Sequence, residues 1–319
     1  MVMIEPVVDA LRRNDPHSPI DLLAPEPVLE LARRMTGVDR AITLTVSPHQ
    51  LALTARRRIA NGLRGQYARA FVVPNSFVSA LIPALAGIPH RQGFVGEARF
   101  GLLTRPRRKG RADRPFTYLN YQRLADVTAT RPPRLVVDEA QAATLRARHG
   151  LAGRRIAALF PGADGGTAKR WPTAHFVALG RLLGDLGFSV AVLGGERDRD
   201  LTAAIAGQTP AAVDLGGKTT LLEAIDLIAG AELAVGNDTG LMHVAAATGV
   251  AVAGLFGPTS ARTTPPLSER SLSLTNGVPC APCYRRECPL GHHDCLAGLR
   301  PEQVIHALTR HGLILGTSP

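Results

Sequence analysis

Two short segments of this 319-residue chain carry side chains able to hold a phosphate ester. The first is F-P-G-A-D-G-G-T-A-K-R-W-P-T-A-H-F, residues 160–176. An apolar run enters a glycine-rich loop, and the loop enters a helical pattern with Pro172 near its first turn. Glycine lets backbone approach a ligand closely. A helix start offers unpaired N–H groups and the positive end of a dipole. Lys169, one of only three lysines beside Lys109 and Lys218, adds a mobile point charge. The second segment is G-N-D-T-G-L-M-H, residues 236–243, again an apolar run, a tight turn and a helix. Asp238 or Thr239 can cap that helix and leave other N–H groups for an anion. His243 follows one turn further in, where a packed core histidine is the commoner occupant. Asp-Thr-Gly also spells an aspartic-protease signature, but that chemistry needs two carboxylates sharing a proton, and one copy stands here.

Three further patterns are weaker or of another kind. G-G-E-R-D-R-D, residues 194–200, puts acids just past an apolar run, where a ribose hydroxyl is bound in doubly wound sheets. Its D-x-D is a pattern that can hold a divalent metal, but an acidic first helical turn is the commoner reading. G-G-K-T-T, residues 216–220, resembles the end of a P-loop, but Ala212 stands where that pattern needs glycine. No G-x-G-x-x-G follows a strand, which argues against a dinucleotide dehydrogenase. Finally, all four cysteines fall within residues 280–295, spaced C-x2-C-x4-C-x6-C, with His292 and His293 among them. Cys280, Cys283, Cys288 and Cys295 suit a closed, tetrahedral structural zinc site. Disulfides or free thiols are the alternatives.

These segments are positioned by an alternation of strands and helices. Strands are expected at 156–160, 189–193, 211–215, 233–235 and 250–256, nearly all ending in glycine. Helices are expected at 172–186, 196–206, 221–229 and 241–247. That alternation argues a parallel sheet with helices on both faces, whose ligand crevice lies past the strand carboxyl ends. The first half reads similarly: strands at 20–23, 41–46, 70–73 and 135–137, helices at 28–34, 50–61, 76–86 and 138–148, and a basic loop at 105–114. The polar, glycine-bearing stretch 150–155 is the expected boundary between an N-terminal domain, 1–150, and a C-terminal domain, 151–319. Two such α/β domains imply a cleft between them. The chain opens directly on a helical pattern (Val2, Ile4, Val7, Val8, Leu11), without the strand that usually starts a doubly wound domain.

Composition excludes several classes. Hydrophobic residues are 45% and charged residues 20%, the make-up of a folded globular chain rather than a disordered one. No uncharged apolar run reaches the length of a membrane-spanning helix. The first residues carry acids before bases, the wrong polarity for a secretory signal, so a cytoplasmic enzyme is expected. Lys and Arg number 37 against 26 acids, a net +11, which calls for an anionic partner. Aromatics are 4%, too few for stacking on single-stranded nucleic acid, so no nucleic-acid partner is expected.

Taken together, P-G-A-x(5)-K-R-W-P, N-D-T-G-L-M-H-V-A-A-A, L-F-G-P-T-S and T-P-P-L-S resemble glycosyltransferase family 9. V-P-N-S-F-V-S-A-L at 73–81, A-G-I-P-H-R-Q-G-F at 86–94 and C-P-L-G-H-H at 288–293 extend the likeness over essentially the whole chain. The resemblance implies a GT-B fold, two Rossmann-like doubly wound domains about a cleft, with acceptor on the N-terminal half and ADP-heptose on the C-terminal half. It implies inverting transfer of L-glycero-D-manno-heptose to the first heptose of the lipid A inner core, without a catalytic metal, so that the only metal expected is the structural zinc. Lys169 would neutralise the donor diphosphate, and Asp238 would hold heptose hydroxyls. Thr239, Gly240 and His243 would lie at the diphosphate and helix start, and Asp198, or else Glu196, near the ribose. Family members open with a strand and a Gly-Asp loop whose aspartate is the general base. Both are expected to precede Met1, so a further upstream segment is expected; the alternative is a non-catalytic nucleotide-sugar-binding paralogue. The basic surface at Arg56–Arg58 and 105–111 would meet lipid A phosphates at the inner face of the inner membrane.

Overall fold

The computed structural model describes residues 1–47, 50–108 and 117–314. It divides into two units. The first comprises Met3–Arg131 with Met1, and the second comprises Pro132–Pro319 with Val2. The division therefore falls at Arg131/Pro132, earlier than the expected 150–155. The reason is packing: the segment after Pro132 belongs to the second unit. Leu135 N–H donates to Ala247 O at 3.0 Å. Asp138 N–H donates to the Asp226 carboxylate at 2.9 Å. The expected strand at 135–137 is irregular chain held by these bonds.

In the first unit the described elements are helix α1 (Glu5–Asn14), strand β1 (Asp21–Ala24), α2 (Glu26–Arg33), β2 (Arg40–Thr43), α3 (Leu53–Leu63), β3 (Arg69–Val72), α4 (Phe77–Leu85), β4 (His90–Phe94), β5 (Arg105–Arg107) and α5 (Thr117–Ala125). All strand pairs are parallel, and they form two sheets, β1-β2 and β3-β4-β5. The two sheets are joined at one end by polar contacts. The Tyr67 hydroxyl donates to Asp21, and Arg40 reaches both Asp21 and Tyr67, at 2.8 and 3.1 Å. Beneath them Ala60, Ile82, Ala86 and Ile88 form a cluster that takes Leu23 of β1 and Ala70 of β3. β4 and β5 were not expected. Their sequences, H-R-Q-G-F and R-P-R, are polar where a strand pattern is sought, and pairing to β3 and to each other makes them strands. Residues 109–116, the rest of the expected basic loop, lie outside the described residues.

The second unit holds α6 (Glu139–Arg148), β6 (Ile156–Phe160), α7 (Thr173–Asp185), β7 (Ser189–Gly194), α8 (Arg199–Gln208), β8 (Val213–Gly216), α9 (Leu221–Ala229), β9 (Leu233–Asn237), α10 (Gly240–Ala247), β10 (Ala251–Phe256), β11 (Ser271–Thr275), α11 (Asp294–Ala297) and α12 (Pro301–Arg310). Its six strands are all parallel in the order β11-β10-β9-β6-β7-β8. The inner strands are buried on both faces: every residue of β6, β9 and β10 is buried. Continuous apolar runs rather than alternation are what such strands require. The core under α7 and α12 gathers Leu159, Trp171, Phe176, Leu179, Val192, Val235, Val304 and Leu308.

β6 is the central strand. From it the chain winds outward through β7 and β8, then returns to β9 on the other flank and winds the opposite way through β10 and β11. The reversal between β6 and β9 leaves a crevice past their carboxyl ends, the place where doubly wound sheets bind ligands. Both phosphate-type loops found in the sequence start there.

Candidate active site

β6 and β9 are hydrogen-bonded neighbours, with Phe160 opposite Gly236. The glycine-rich loop leaves Phe160, and the 238–243 turn leaves Asn237, so the two emerge side by side. Lys169, in a short 3-10 turn (Thr167–Lys169), places its Nζ 3.1 Å from Asp238 Oδ2. Both side chains are largely sheltered, at 19% and 10% exposure, so this ion pair is not the solvated surface kind that contributes little. Thr264 Oγ1 donates to the other Asp238 oxygen at 3.4 Å.

Asn237, which sequence reasoning passed over, fixes the geometry. It is fully buried. Its Nδ2 donates to Pro161 O at 2.7 Å and Gly162 O at 3.3 Å, and its Oδ1 accepts from Trp171 N–H at 3.1 Å. One side chain on β9 thereby holds both ends of the Lys169 loop. The available signal was an asparagine closing an apolar run, since a buried amide needs partners. Trp171 is buried too, donates Nε1–H to Leu299 O at 2.8 Å, and meets Phe176 edge-on at 4.9 Å.

Thr239 precedes α10 in an extended conformation but makes no side-chain cap. Its hydroxyl is buried without a partner, as is that of Thr259, just past β10. A buried unpaired hydroxyl costs about 1–3 kcal/mol, which a ligand acceptor would recover. Gly240 opens α10, and a Cβ there would meet no protein atom within 4 Å. The space beside this exposed glycine is open, and the start of α10 carries the positive end of the helix dipole. His243 lies one turn in. Burial pushes its pKa down to about 4, opposed by Asp238 and assisted by Lys169, so the imidazole is neutral at pH 7.

Asp198 lies at the same strand ends. It accepts from Gly195 N–H at 3.1 Å. A Cβ at Gly162 would fall 2.5 Å from its Oδ2, so only glycine permits the approach. Glu196, the other acidic candidate, is exposed and pairs with Arg199 at 2.8 Å. Asp198, Gly162, Asn237, Asp238 and Lys169 thus form one connected row across β7, β6 and β9.

The four cysteines are free and line one small cavity of about 20 Å³ with Ala168, Pro258 and His292. Cys280 Sγ is 4.0 Å from His292 Nε2. Among the described residues no three His, Cys, Asp or Glu side chains stand as a preformed metal-holding group. Backbone hydrogen bonds, from His293 first and from Leu290, Gly291 and His292 after it, lower the Cys288 thiol pKa, and burial raises that of Cys295.

One expected surface group is not at the surface. Arg56 is 1% exposed and donates to the carbonyls of Leu51, Ser47 and Gln50 at 2.9, 3.1 and 2.8 Å. It holds the turn before α3, leaving Arg57 and Arg58 as the exposed pair.

A central switch point, two glycine-bearing strand ends and a sheltered lysine–aspartate pair make this a doubly wound α/β unit with its candidate ligand site past the strand carboxyl ends. The model of glycosyltransferase family 9 (heptosyltransferase) matches residues 56–293, and the chain belongs to that family. It is 35% identical over 329 residues to lipooligosaccharide heptosyltransferase 2 of Haemophilus influenzae, covering 97% of this chain and 94% of the relative. It is 34% identical over 326 residues to lipopolysaccharide heptosyltransferase 2 of Escherichia coli, at 97% and 94% coverage. The solved ADP-heptose LPS heptosyltransferase II of E. coli superposes with a TM-score of 0.85 at 33% identity, over 98% of this chain and 94% of that one.

Proposed function

We propose that this chain is an inverting heptosyltransferase that moves L-glycero-D-manno-heptose from ADP-heptose to heptosyl-Kdo2-lipid A in the lipopolysaccharide inner core. The observation that carries the donor half is the Lys169–Asp238 pair at the β6/β9 switch point, beside the exposed Gly240 that starts α10. The names of the full-length relatives support the substrate class. Asp198, at the end of β7, is assigned to the ribose. Thr239 and the amides from Gly240 onward take the diphosphate oxygens.

Cleavage of the sugar–phosphate bond leaves new negative charge on ADP. Lys169 turns from Asp238 to that charge, and the α10 amides stay fixed on it. Donors held in place for developing charge each lower the barrier by about 3–4 kcal/mol. Asp238, released from the lysine, is free to accept from sugar hydroxyls while Thr264 steadies its second oxygen. His243, neutral, can donate or accept without adding charge beside Lys169.

The first unit is assigned the lipid acceptor. No described helix is long and apolar enough to cross a membrane. Leu51 and Leu53, 54% and 38% exposed, lie next to the exposed Arg57 and Arg58, a composition suited to the inner-leaflet surface. The four cysteines are assigned to one structural zinc. Their donor set and their common cavity support this, and binding would draw the sulfurs inward. The test is release of ADP from ADP-heptose in the presence of heptosyl-Kdo2-lipid A, with mass gain of one heptose on the acceptor. ADP release without acceptor gain would reject the transfer reading.

A further inference from the structure

The cysteine loop does not stand apart from the donor site. Ala168, the residue before Lys169, donates its N–H to Arg286 O at 3.1 Å, and Arg286 lies between Cys283 and Cys288. Two residues earlier, Gly166 has φ +121°, and a Cβ there would fall 2.0 Å from the same Arg286 oxygen. Tyr284 N–H donates to Pro258 O at 2.8 Å, tying the loop to the end of β10 as well. Ala168 and Pro258 also form part of the wall of the cavity that the four cysteines share. The glycine-rich loop is thus held from two sides: from β9 by Asn237, and from outside by the backbone between the second and third cysteines.

The cavity, about 20 Å³, has room for one small occupant. Four sulfur donors select a thiophilic divalent cation over a hard one. Binding would deprotonate the thiols, release the protons to solvent and close the 280–295 loop into a fixed shape. A loop so fixed presents the Arg286 carbonyl at one place, and with it the Ala168 amide and the lysine that follows.

We propose that a zinc-class cation held by Cys280, Cys283, Cys288 and Cys295 is a positioning element for Lys169, so that affinity for the ADP diphosphate depends on that cation. This rests on the readings of the cysteine loop as a metal site and of Lys169 as the diphosphate cation. A misplacement of about 1 Å at such a group is enough to cost about a hundredfold in rate, so an effect on binding of about tenfold or more is expected.

The test uses the whole protein in three forms: as purified, stripped with a chelator, and restored with zinc sulfate. Metal content is measured by elemental analysis, loop mobility by hydrogen exchange of 162–171, and ADP affinity by calorimetry. Expected are about one zinc per chain, faster exchange at 162–171 on stripping with β6 and β9 unchanged, weaker ADP binding by about tenfold, and reversal by zinc. Cys283→Ser should reproduce the stripped state. Gly166→Ala should loosen 162–171 while retaining the metal. Protein without metal that takes up none from zinc sulfate overturns the proposal. So does bound metal whose removal leaves both 162–171 exchange and ADP affinity unchanged. If 162–171 responds to zinc but ADP binds in no form, the coupling stands as a mechanical one and the donor assignment fails. If stripping or Cys283→Ser unfolds the unit, so that β6 and β9 exchange with the loop, the cation serves global stability and the proposal is overturned.

Discussion

Lys169 Nζ rests 3.1 Å from Asp238 Oδ2, so a cation of one strand-end loop and an anion of the other hold each other before any substrate arrives. The pair keeps two poorly solvated charges compensated. In the proposed reaction each partner would exchange the other for a group of ADP-heptose.

Lys169→Ala is expected to remove leaving-group stabilisation and lower kcat by about 10²–10³-fold, equivalent to about 3–4 kcal/mol. It also leaves Asp238 unpaired, so the thermal midpoint should fall. Steady-state ADP release and a melting scan measure both. Turnover near that of the parent would remove Lys169 from the reaction.

Asp238→Asn separates the two functions. Lys169 loses its resting partner, so ADP should bind as tightly as before or more tightly. The sugar loses its carboxylate, so transfer should drop by about a hundredfold or more, as for loss of a buried charge-assisted hydrogen bond. Calorimetry with ADP alongside the transfer assay distinguishes the two effects. ADP binding that collapses together with turnover would argue against the carboxylate acting on the sugar.

Asn237→Ala is expected to destabilise the second unit by about 3 kcal/mol, because Trp171 N–H and Pro161 O are left buried without a partner. The Lys169 loop should loosen at the same time. Urea unfolding gives the first quantity, and hydrogen exchange of 162–171 gives the second. A neutral substitution would show that the loop is held otherwise.

His243 carries a pH dependence whose sign follows from its pKa of about 4 against an ordinary 6.5. The unfolded chain takes up a proton at this residue below pH 6.5, and the folded one does so only near pH 4. Stability from keeping the imidazole neutral is therefore full above pH 6.5 and drains away as pH falls toward 4, by up to about 3 kcal/mol. Urea unfolding at pH 7 and pH 4.5 should give a loss that shrinks in His243→Asn. An equal loss in parent and variant would assign the acid sensitivity to other groups.

Much of the second unit was legible because its strands are buried on both faces and end at glycines, which makes each a short apolar run with a sharp stop. β11 escaped because S-L-S-L-T is a half-exposed edge strand with little apolar contrast. In the first unit β4 and β5 escaped because arginine, histidine and proline dominate them, and only a neighbouring strand fixes their conformation. Arg56 read as surface charge because its two arginine neighbours are surface charge. The three carbonyls that bury it come from the chain before α3 folding back on the helix.

The sequence by itself determined the α/β alternation, the glycine loops, the lone lysine in one of them and the acid-threonine-glycine turn in the other, since each depends on residue type and local spacing. Which strands lie side by side is not a local property. Only the tertiary structure set β6 against β9, and that adjacency is what brings Lys169 to Asp238, aims Asn237 at the lysine loop and rests that loop on the backbone between the cysteines. Sheet order is decided by how helices of many residues pack on both faces at once, and no window of sequence contains that sum.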